Sequence, residues 1–255
     1  MLEILGYLAS VLVGVALGLI GGGGSILTVP ILVYLFGMEP TPATAYSLFV
    51  VGVTALAGFL VYARRKEVDF RTALLFAPPS FLGVYLVRLL VIPNLPDTLF
   101  SIGTVQVTRD SFILLLFALL MFGTAFSMIR KGPVRAAPAG KLSAAKVGLI
   151  MLEGLAVGAL TGFVGAGGGF LVIPALVLLI GLPMKTAVGT SLLIIAVKSL
   201  LGMLGDVQGT AVEFDWGFLV WLSALAVFGM ALGTWLSKRL SGESLKPAFG
   251  WFVLL

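Results

Sequence analysis

The sequence predicts an all-α integral membrane protein with eight to ten transmembrane segments, arranged as two inverted-topology repeats that each contain a short, glycine-broken helix. Three observations support this fold class. The 255 residues are 60% hydrophobic and 11% charged, which leaves too few polar residues to cover a soluble domain. The second half of the chain repeats the first at an offset of 144 residues. The two copies differ in charge bias, which is expected of repeats inserted in opposite orientations.

Apolar stretches mark the transmembrane segments. A helix needs about 20 residues to cross the hydrocarbon core, and seven stretches come close to that length: 4–20, 43–62, 72–91, 112–130, 147–165, 186–203 and 216–237. Two more, 26–37 and 170–181, are too short, and each adjoins a glycine run. Each short stretch is either a half-helix that dips into the membrane or part of a bent, broken span. A last apolar stretch begins near Pro247.

Basic loops indicate which side of the membrane is cytoplasmic. Three loops are rich in lysine and arginine. The first contains Arg64, Arg65, Lys66 and Arg71, the second Lys131, Arg135, Lys141 and Lys146, and the third Lys238, Arg239 and Lys246. The intervening segments 92–111 and 204–215 are poor in both residues and should face outside. This assignment alternates along the chain and places the N-terminus outside. Glu3, without a basic region before it, predicts a first membrane helix rather than a cleavable signal peptide.

The internal repeat is most evident around the glycine runs. The segment "GVALGLIGGGGSILTVPILVYLFG" from Gly14 aligns without a gap on "GALTGFVGAGGGFLVIPALVLLIG" from Gly158, and 17 of 45 positions are identical between 14–58 and 158–202. The register continues to a point where Arg71 in a basic loop aligns with Asp215 in an acidic one. We therefore expect a single membrane domain built from repeat 1 (residues 1–130), a cytoplasmic linker (131–146) and repeat 2 (147–255).

The glycine runs are the predicted binding site. They match neither the dinucleotide nor the Walker pattern, and a flexible linker would leave amides unsatisfied in hydrocarbon. A chain break followed by a short helix presents free N–H groups and a positive helix dipole, which bind anions. Close helix packing by small residues is the alternative. The predicted anion site, where two half-helix N-termini meet near the midplane, comprises Gly21, Gly22, Gly23, Gly24, Ser25, Gly165, Ala166, Gly167, Gly168 and Gly169.

Other polar residues lie within the apolar stretches. Lys198 either supplies a cation for an anionic substrate or extends toward the outer surface. Ser47, Thr190 and Ser191 either donate to substrate oxygens or bond their own helix carbonyls. Glu153 is the carboxylate best placed for proton coupling, although an ion pair or an interfacial position is also open to it. We interpret Arg88 as an anchor near an outer helix end, Asp69 and Glu213 as helix-start residues, and 98–110 as a small hairpin.

Composition also excludes several classes of function. The chain contains no cysteine and no histidine, so it has no disulfide and lacks the usual metal ligands and proton shuttle. With no clustered carboxylates either, no catalytic constellation is evident, and we expect neither an enzyme nor a bound metal or cofactor. The net charge of +5 reflects membrane orientation rather than nucleic-acid binding. The sequence does not fix the oligomeric state, and a homodimer is one of the options.

The two glycine–proline elements, "GxxGGGGS-I-L-x-V-P" and "GxxGAGGGF-L-V-I-P", each followed by "A-x-x-x-S-L", resemble the TauE/SafE sulfite exporter family, also called the toluene-sulfonate uptake permease group. The resemblance covers nearly the whole chain. It implies movement of small sulfur-containing anions, such as sulfite or organosulfonates, across a prokaryotic inner membrane. It also implies that Gly21–Ser25 and Gly165–Gly169 line the site.

The sequence therefore predicts a secondary transporter, with export as the expected direction, that moves a small sulfur-containing anion by alternating access. A coupled proton or sodium ion is compatible with this prediction. The alternatives are an anion channel that uses the same site, or a transporter of another small carboxylate or oxyanion. A membrane-embedded enzyme and a structural membrane protein without a site are disfavoured by the composition and by the paired glycine breaks, respectively.

Overall fold

The computed structural model describes residues 2–102, 105–129, 144–165, 167–209 and 213–239. The helices in this part of the chain are α1 (Leu2–Ile20), α2 (Thr28–Pro30), α3 (Pro40–Arg64), α4 (Phe70–Leu86), α5 (Arg109–Ile129), α6 (Ala144–Val164), α7 (Gly169–Pro174), α8 (Met184–Gly209) and α9 (Trp216–Leu236). A 3-10 helix, Gly21–Leu27, precedes α2. π-Helical turns extend α2, α4 and α7 over Ile31–Leu35, Val87–Val91 and Ala175–Ile180.

Six helices in the described residues are long and apolar enough to cross a membrane: α1, α3, α4 with its π-helical turn, α6, α8 and α9. The chain is therefore a mostly helical, multi-pass membrane protein. The predicted hairpin is also present, as the antiparallel strands β1 (Thr98–Ile102) and β2 (Val105–Thr108). The total of eight to ten transmembrane segments stays a prediction. The linker residues 130–143 and the last apolar stretch from Pro247 lie outside the described residues.

Helix boundaries recur at the 144-residue offset of the sequence repeat. Helices α1 and α6 end at Ile20 and Val164, and helices α3 and α8 begin at Pro40 and Met184. Each pair is separated by 144 residues. Similar local sequence thus produces the same order of elements in both halves: a long helix, a glycine run, a short helix with a π-helical end, and a second long helix.

The first helix of each half packs on a helix of the other half. Helix α1 runs parallel to α9, because Gly14 lies against Ala226 and Gly18 lies against Gly233. Helix α6 runs parallel to α4 by the same criterion, with Gly154 on Phe76, Gly158 on Ser80 and Gly162 on Val84. These glycines have backbone or small side chains directly above them, and this lets the helices approach closely.

Helices α3 and α8 form the centre of the molecule and run antiparallel. Gly52 of α3 lies against Leu200 of α8, whereas Gly58 lies against Leu192. Helix α9 runs parallel to α3, since Tyr46 contacts Phe218 near the start of both helices. Near their ends, Arg65 donates to the carbonyl of Thr234 over 2.9 Å. Asp69 contacts Thr190 and Arg88 contacts Asp206, so α4 runs parallel to α8.

These directions place α1, α3 and α9 in one orientation and α4, α6 and α8 in the other. The end of the molecule where α1, α3 and α9 finish carries exposed or half-exposed cations, among them Arg64, Arg65, Lys66, Arg71, Lys185, Lys238 and Arg239. We call it the basic end. The opposite end holds the start of α3, the β-hairpin, the end of α8 and the start of α9.

The segment from Gly21 to Phe36 runs back along α1. Gly24 lies against Ala16 and Leu17, and the Phe36 ring is 5.3 Å from that of Tyr7 near the start of α1. The segment therefore returns from the basic end toward the opposite end before α3 begins. The largest buried apolar cluster joins short-helix residues of both halves: Ile26, Val29, Val172, Ile173 and Leu176.

Two boundaries differ from the sequence-based prediction. Helix α8 continues to Gly209, so residues 204–209 are helical and not part of an outer loop. The predicted helix-start role of Asp69 is confirmed, because its carboxylate accepts from the amides of Arg71 and Thr72. In the second half, Asp215 and not Glu213 caps the helix, through a 3.0 Å bond from the amide of Phe218.

Candidate functional site

The two glycine runs meet in the interior, where the backbones of Gly22 and Gly169 are in direct contact. A Cβ atom built on either residue would fall on the Cα of the other. The contact joins the 3-10 helix that follows α1 in repeat 1 to the start of α7, the short helix of repeat 2. Only glycine permits such an approach between two main chains. The packing role considered as an alternative for these glycines is therefore present at this position.

The backbone turns at both runs but differs in detail. Gly21 and Gly165, which align in the repeat, both have positive φ, at 73° and 70°. After Gly21 the first run forms a 3-10 helix that includes Gly22, Gly23, Gly24 and Ser25. The Ser25 hydroxyl donates to the Gly22 carbonyl over 2.6 Å. The first run is thus ordered helical backbone.

The second run forms a left-handed turn ahead of α7. Gly167 and Gly168 have φ of 60° and 58°, values that side-chain-bearing residues rarely adopt. The carbonyl of Gly168 accepts from the amides of Leu171 and Val172. A helix leaves its first amides without intrahelical acceptors, so the start of α7 at Gly169 directs amide groups and the positive dipole end toward this turn. Ala166 lies outside the described residues.

Lys198 lies beside the second glycine turn and is fully buried, with 0% exposure. Its ammonium nitrogen is 3.4 Å from the hydroxyl of Thr161, and a Cβ on Gly168 would meet this nitrogen together with side-chain atoms of Thr161. Lys198 stands 14 residues after the start of α8 and 11 before its end, or about 21 and 17 Å along the axis. The side chain therefore stays at mid-depth and does not extend to the outer surface.

No carboxylate forms an ion pair with Lys198 within the described residues. A buried ammonium group without a counter-charge is costly in a low-dielectric interior. Its one hydrogen bond to the described part of the chain is a long, 3.4 Å contact with the neutral hydroxyl of Thr161. The position is therefore suited to accept an anion that is not part of the protein.

Ser199 adds a hydroxyl that the sequence analysis missed. Its Oγ atom is buried without a hydrogen-bond partner in the described structure, and it lies near Gly167, 3.3 Å from where a Cβ would stand. In the sequence, Lys198 is the residue that indicates a polar site at this point. Ser199 could have been predicted only from its position next to Lys198, because a serine in a membrane helix usually bonds a carbonyl of its own helix.

The predicted hydroxyl ligands separate into two groups. Ser47 and Ser191 are fully buried; Ser47 Oγ has no partner in the described part of the chain, and Ser191 donates to the carbonyl of Val188 and faces Gly21. Thr190 instead accepts from the amide of Asp69 over 2.9 Å and so fixes the loop before α4. Tyr46, its equivalent in repeat 1, has the same function at the other end, where it donates to the Glu213 carbonyl.

Glu153 is on α6, eight residues before Thr161, which is about 12 Å along the helix axis. One of its carboxylate oxygens is buried without a hydrogen-bond partner among the described residues. The structure thus places Glu153 away from the glycine turns and Lys198, toward the basic end. It does not have the ion-pair partner considered as an alternative within the described part of the chain.

Arg88 is not the interfacial anchor inferred from its sequence position, and that interpretation is wrong. Arg88 is fully buried and forms a 3.1 Å ion pair with Asp206, which is 1% exposed. The pair joins the π-helical end of α4 to the last turns of α8, between the centre and the opposite end. The error followed from ending α8 too early, since that placed Asp206 in an aqueous loop.

Taken together, the buried cation of Lys198, the hydroxyls of Thr161 and Ser199, and a glycine turn at a helix N-terminus surround one interior point of a multi-pass helical protein. These groups can bind a small anion through charge and hydrogen bonds. The class of protein that such a fold and site define is a membrane transporter.

Comparison with known proteins identifies the family. A family model described as "Sulfite exporter TauE/SafE" matches residues 6–255, and the chain belongs to this family, as the resemblance predicted. The chain is 34% identical to a "Probable membrane transporter protein" of Xylella fastidiosa strain Temecula1, over 95% of this chain and 88% of that protein. It is 30% identical to "Probable membrane transporter protein YunE" of Bacillus subtilis, over 96% and 90%.

A more distant relative is "Probable membrane transporter protein MJ0441" of Methanocaldococcus jannaschii, 27% identical over 76% of this chain and 68% of that protein. No solved structure matches the chain with significance. The family and these relatives are transporters rather than enzymes, so the chain is a membrane transporter of the TauE/SafE family.

Proposed function

We propose that the protein is a secondary transporter that exports small sulfur-containing anions, such as sulfite or organosulfonates, by alternating access. The observation that carries this proposal is Lys198: a fully buried cation at mid-depth, without an acidic partner in the described structure, beside the glycine turn of repeat 2. A small oxyanion would supply the missing counter-charge and would accept hydrogen bonds from Ser199 and Thr161.

We propose further that the two halves form an inverted-topology repeat. Helices α1, α3 and α4 correspond to α6, α8 and α9 in the sequence repeat, and each corresponding pair runs in opposite directions. The packing of the helices supports the same interpretation. Helix α1 packs on α9 of the other half, and its equivalent α6 packs on α4, which is the equivalent of α9. Such symmetry gives a transporter two related conformations that open toward opposite sides.

In the alternating-access cycle, the contact between Gly22 and Gly169 must open. The two main chains touch, so an anion the size of sulfite has no room between them in this conformation. Binding would separate the glycine runs and expose the amides at the start of α7 to the anion. A closed contact at mid-depth is expected of a transporter between transport steps and favours this mechanism over a permanently open channel.

The orientation and the coupling ion also belong to the proposal. The basic end faces the cytoplasm of a prokaryotic inner membrane by the positive-inside rule, which places the N-terminus outside. The natural chain has no cysteine, so single cysteines at Arg71 and Asn94 would report the two sides: membrane-impermeant reagents should label only Asn94→Cys from outside. A proton or sodium ion is the proposed coupling ion, with Glu153 as the first carboxylate to substitute.

A ligand-dependent thermal-shift measurement tests the proposal. The purified protein is titrated with sulfite, thiosulfate, sulfoacetate, taurine and chloride, alongside Lys198→Met and the exposed control Arg64→Met. We expect sulfite or a sulfonate to raise the melting temperature of the wild type and of the control but not of Lys198→Met. Equal shifts in Lys198→Met and wild type would exclude the Lys198 site. A wild-type melting temperature that none of these anions changes would exclude this substrate class.

The glycines themselves are less suitable for such a test. A side chain at Gly24 would meet the backbone of α1, and one at Gly168 would meet Thr161 and Lys198. Gly24→Leu and Gly168→Leu would therefore disrupt packing before they affect binding. Ser199→Ala is the better second variant, because it removes one unpartnered hydroxyl and leaves the packing intact.

A further inference from the structure

A cavity of about 140 Å³ opens at the basic end, apart from the glycine site. Its polar lining residues come from the ends of α3 and α9 and from the start of α8: Tyr62, Arg65, Glu67, Lys185, Ser237 and Lys238. Three of these residues are cationic and one is acidic. A water molecule occupies about 30 Å³ in the liquid, so the cavity is large enough for a small hydrated oxyanion.

The cations of this cavity have no ion-pair partners among the described residues. Arg65 is held in place by its bond to the Thr234 carbonyl and by the Tyr62 ring, 5.3 Å from the guanidinium carbon. Lys185 and Lys238 are exposed at the rim. Helix α8 begins at Met184 in the cavity wall, which adds the positive end of a helix dipole. With three cations and one carboxylate, the lining of the cavity therefore carries a net positive charge.

The floor of the cavity reaches the first glycine turn. Val188 lines the cavity and also lies 3.0 Å from where a Cβ of Gly21 would stand. The Tyr62 hydroxyl, also in the lining, donates to the carbonyl of Gly18 over 2.9 Å. A solute in this cavity is thus one layer of side chains from the contact between the two glycine runs.

The corresponding positions at the opposite end carry no such cations. Thr41 corresponds to Lys185 at the 144-residue offset, and its hydroxyl donates to the carboxylate of Asp110. Asp206 corresponds to Tyr62 and is bound to Arg88. Repeat symmetry alone would give both ends the same chemistry, so the positive cavity is specific to the basic end.

We propose that the basic-end cavity is a first binding site for small oxyanions, which collects them on that side of the membrane before they reach Lys198. The inference rests on the proposed function and deepens it, because a collecting site on the cytoplasmic side would let the protein take up the anion at a lower cytoplasmic concentration. The ligand class is a compact oxyanion of the sulfite or sulfonate type. Binding there is weak and sensitive to ionic strength, since the rim cations are exposed to solvent.

Transport kinetics with a charge-matched control test this inference. The double variant Lys185→Gln/Lys238→Gln removes both rim charges. The control, Arg64→Gln/Arg71→Gln, removes two charges from exposed positions of the same end that do not line the cavity. Sulfite transport is measured in oriented vesicles, with substrate supplied first at the basic end and then at the opposite end, at low and high salt.

We expect the KM for sulfite supplied at the basic end to rise about tenfold in the cavity variant at low salt, with its maximal rate retained. The wild-type KM should approach that of the variant at high salt. For substrate supplied at the opposite end, the ratio of maximal rate to KM should fall by the same factor, because a substitution cannot change the equilibrium of sulfite across the membrane. The control variant should show unchanged values at both ends. An unchanged KM in the cavity variant, or an equal rise in the control, would overturn the collecting site.

The failure of this inference can be told apart from the failure of the proposed function. If the wild type transports sulfite, Lys198→Met abolishes transport and the cavity variant behaves as wild type, only the collecting site is wrong. If the wild type moves neither sulfite nor a sulfonate, the proposed function is wrong and the collecting site with it.

Discussion

Three buried charged residues, Lys198, Arg88 and Asp206, set the chemistry of the interior at the scale of single residues. That the Lys198 side chain stays in the interior follows only from its burial and from the extension of α8 to Gly209, but its place within a membrane segment could be predicted from "LLIIAVKSLLG". The Arg88–Asp206 pair could not, since its partners are 118 residues apart and only the packing of α4 on α8 brings them together. Each residue alone is compatible with a position near a helix end.

The buried pair makes a prediction about stability. Asp206→Asn leaves the Arg88 guanidinium buried without its counter-charge, and we expect the free energy of unfolding to fall by about 3 kcal/mol. The double variant Arg88→Met/Asp206→Leu removes both charges and should recover most of that loss. Reversible unfolding in mixed detergent micelles measures both values. A double variant as unstable as the single one would show that the charge pair is not the cause.

Small residues determine how the long helices pack, at the scale of elements. Gly14 and Gly18 of α1 lie against the backbone of α9, and Gly229 and Gly233 of α9 lie against the backbone of α1. Both pairs are spaced four residues apart, the spacing of small-residue helix interfaces in membranes. The helix boundaries were largely predictable from hydropathy and from the repeat. The extension of α8 to Gly209 was not, because "LGDVQG" is polar enough to suggest a loop, and its polar side chains have partners on α4 and its π-helical end that the sequence does not reveal.

An alanine substitution should affect stability differently at a glycine in a helix contact and at a glycine that faces open space. A Cβ on Gly229 would meet the carbonyl oxygen of Val11, whereas one on Gly148 would meet no atom within 4 Å. We expect Gly229→Ala to cost about 1–3 kcal/mol of stability and Gly148→Ala to be neutral or to add about 0.5–1 kcal/mol. The melting temperatures of the two purified variants provide the comparison. Equal effects would contradict the close packing of α1 on α9.

At the scale of the whole molecule, the two halves share a sequence pattern but divide the chemistry unequally. The glycine runs align in both halves, yet Lys198 has Thr54 at the corresponding position of repeat 1, and Thr54 bonds its own helix through the carbonyl of Val50. The repeat and its opposite charge bias were readable from the sequence. The contact of Gly22 with Gly169 was not, because it depends on how two short helices from different halves meet.

The central claim is that sulfite or a related anion moves through the protein by alternating access at Lys198. Sulfite exchange in proteoliposomes tests it most directly, with labelled sulfite outside and unlabelled sulfite inside. We expect internal sulfite to accelerate the uptake of label by the wild type and by Arg64→Met, and we expect Lys198→Met to abolish this acceleration. Full acceleration in Lys198→Met, or wild-type uptake that does not respond to internal sulfite and follows voltage alone, would contradict it.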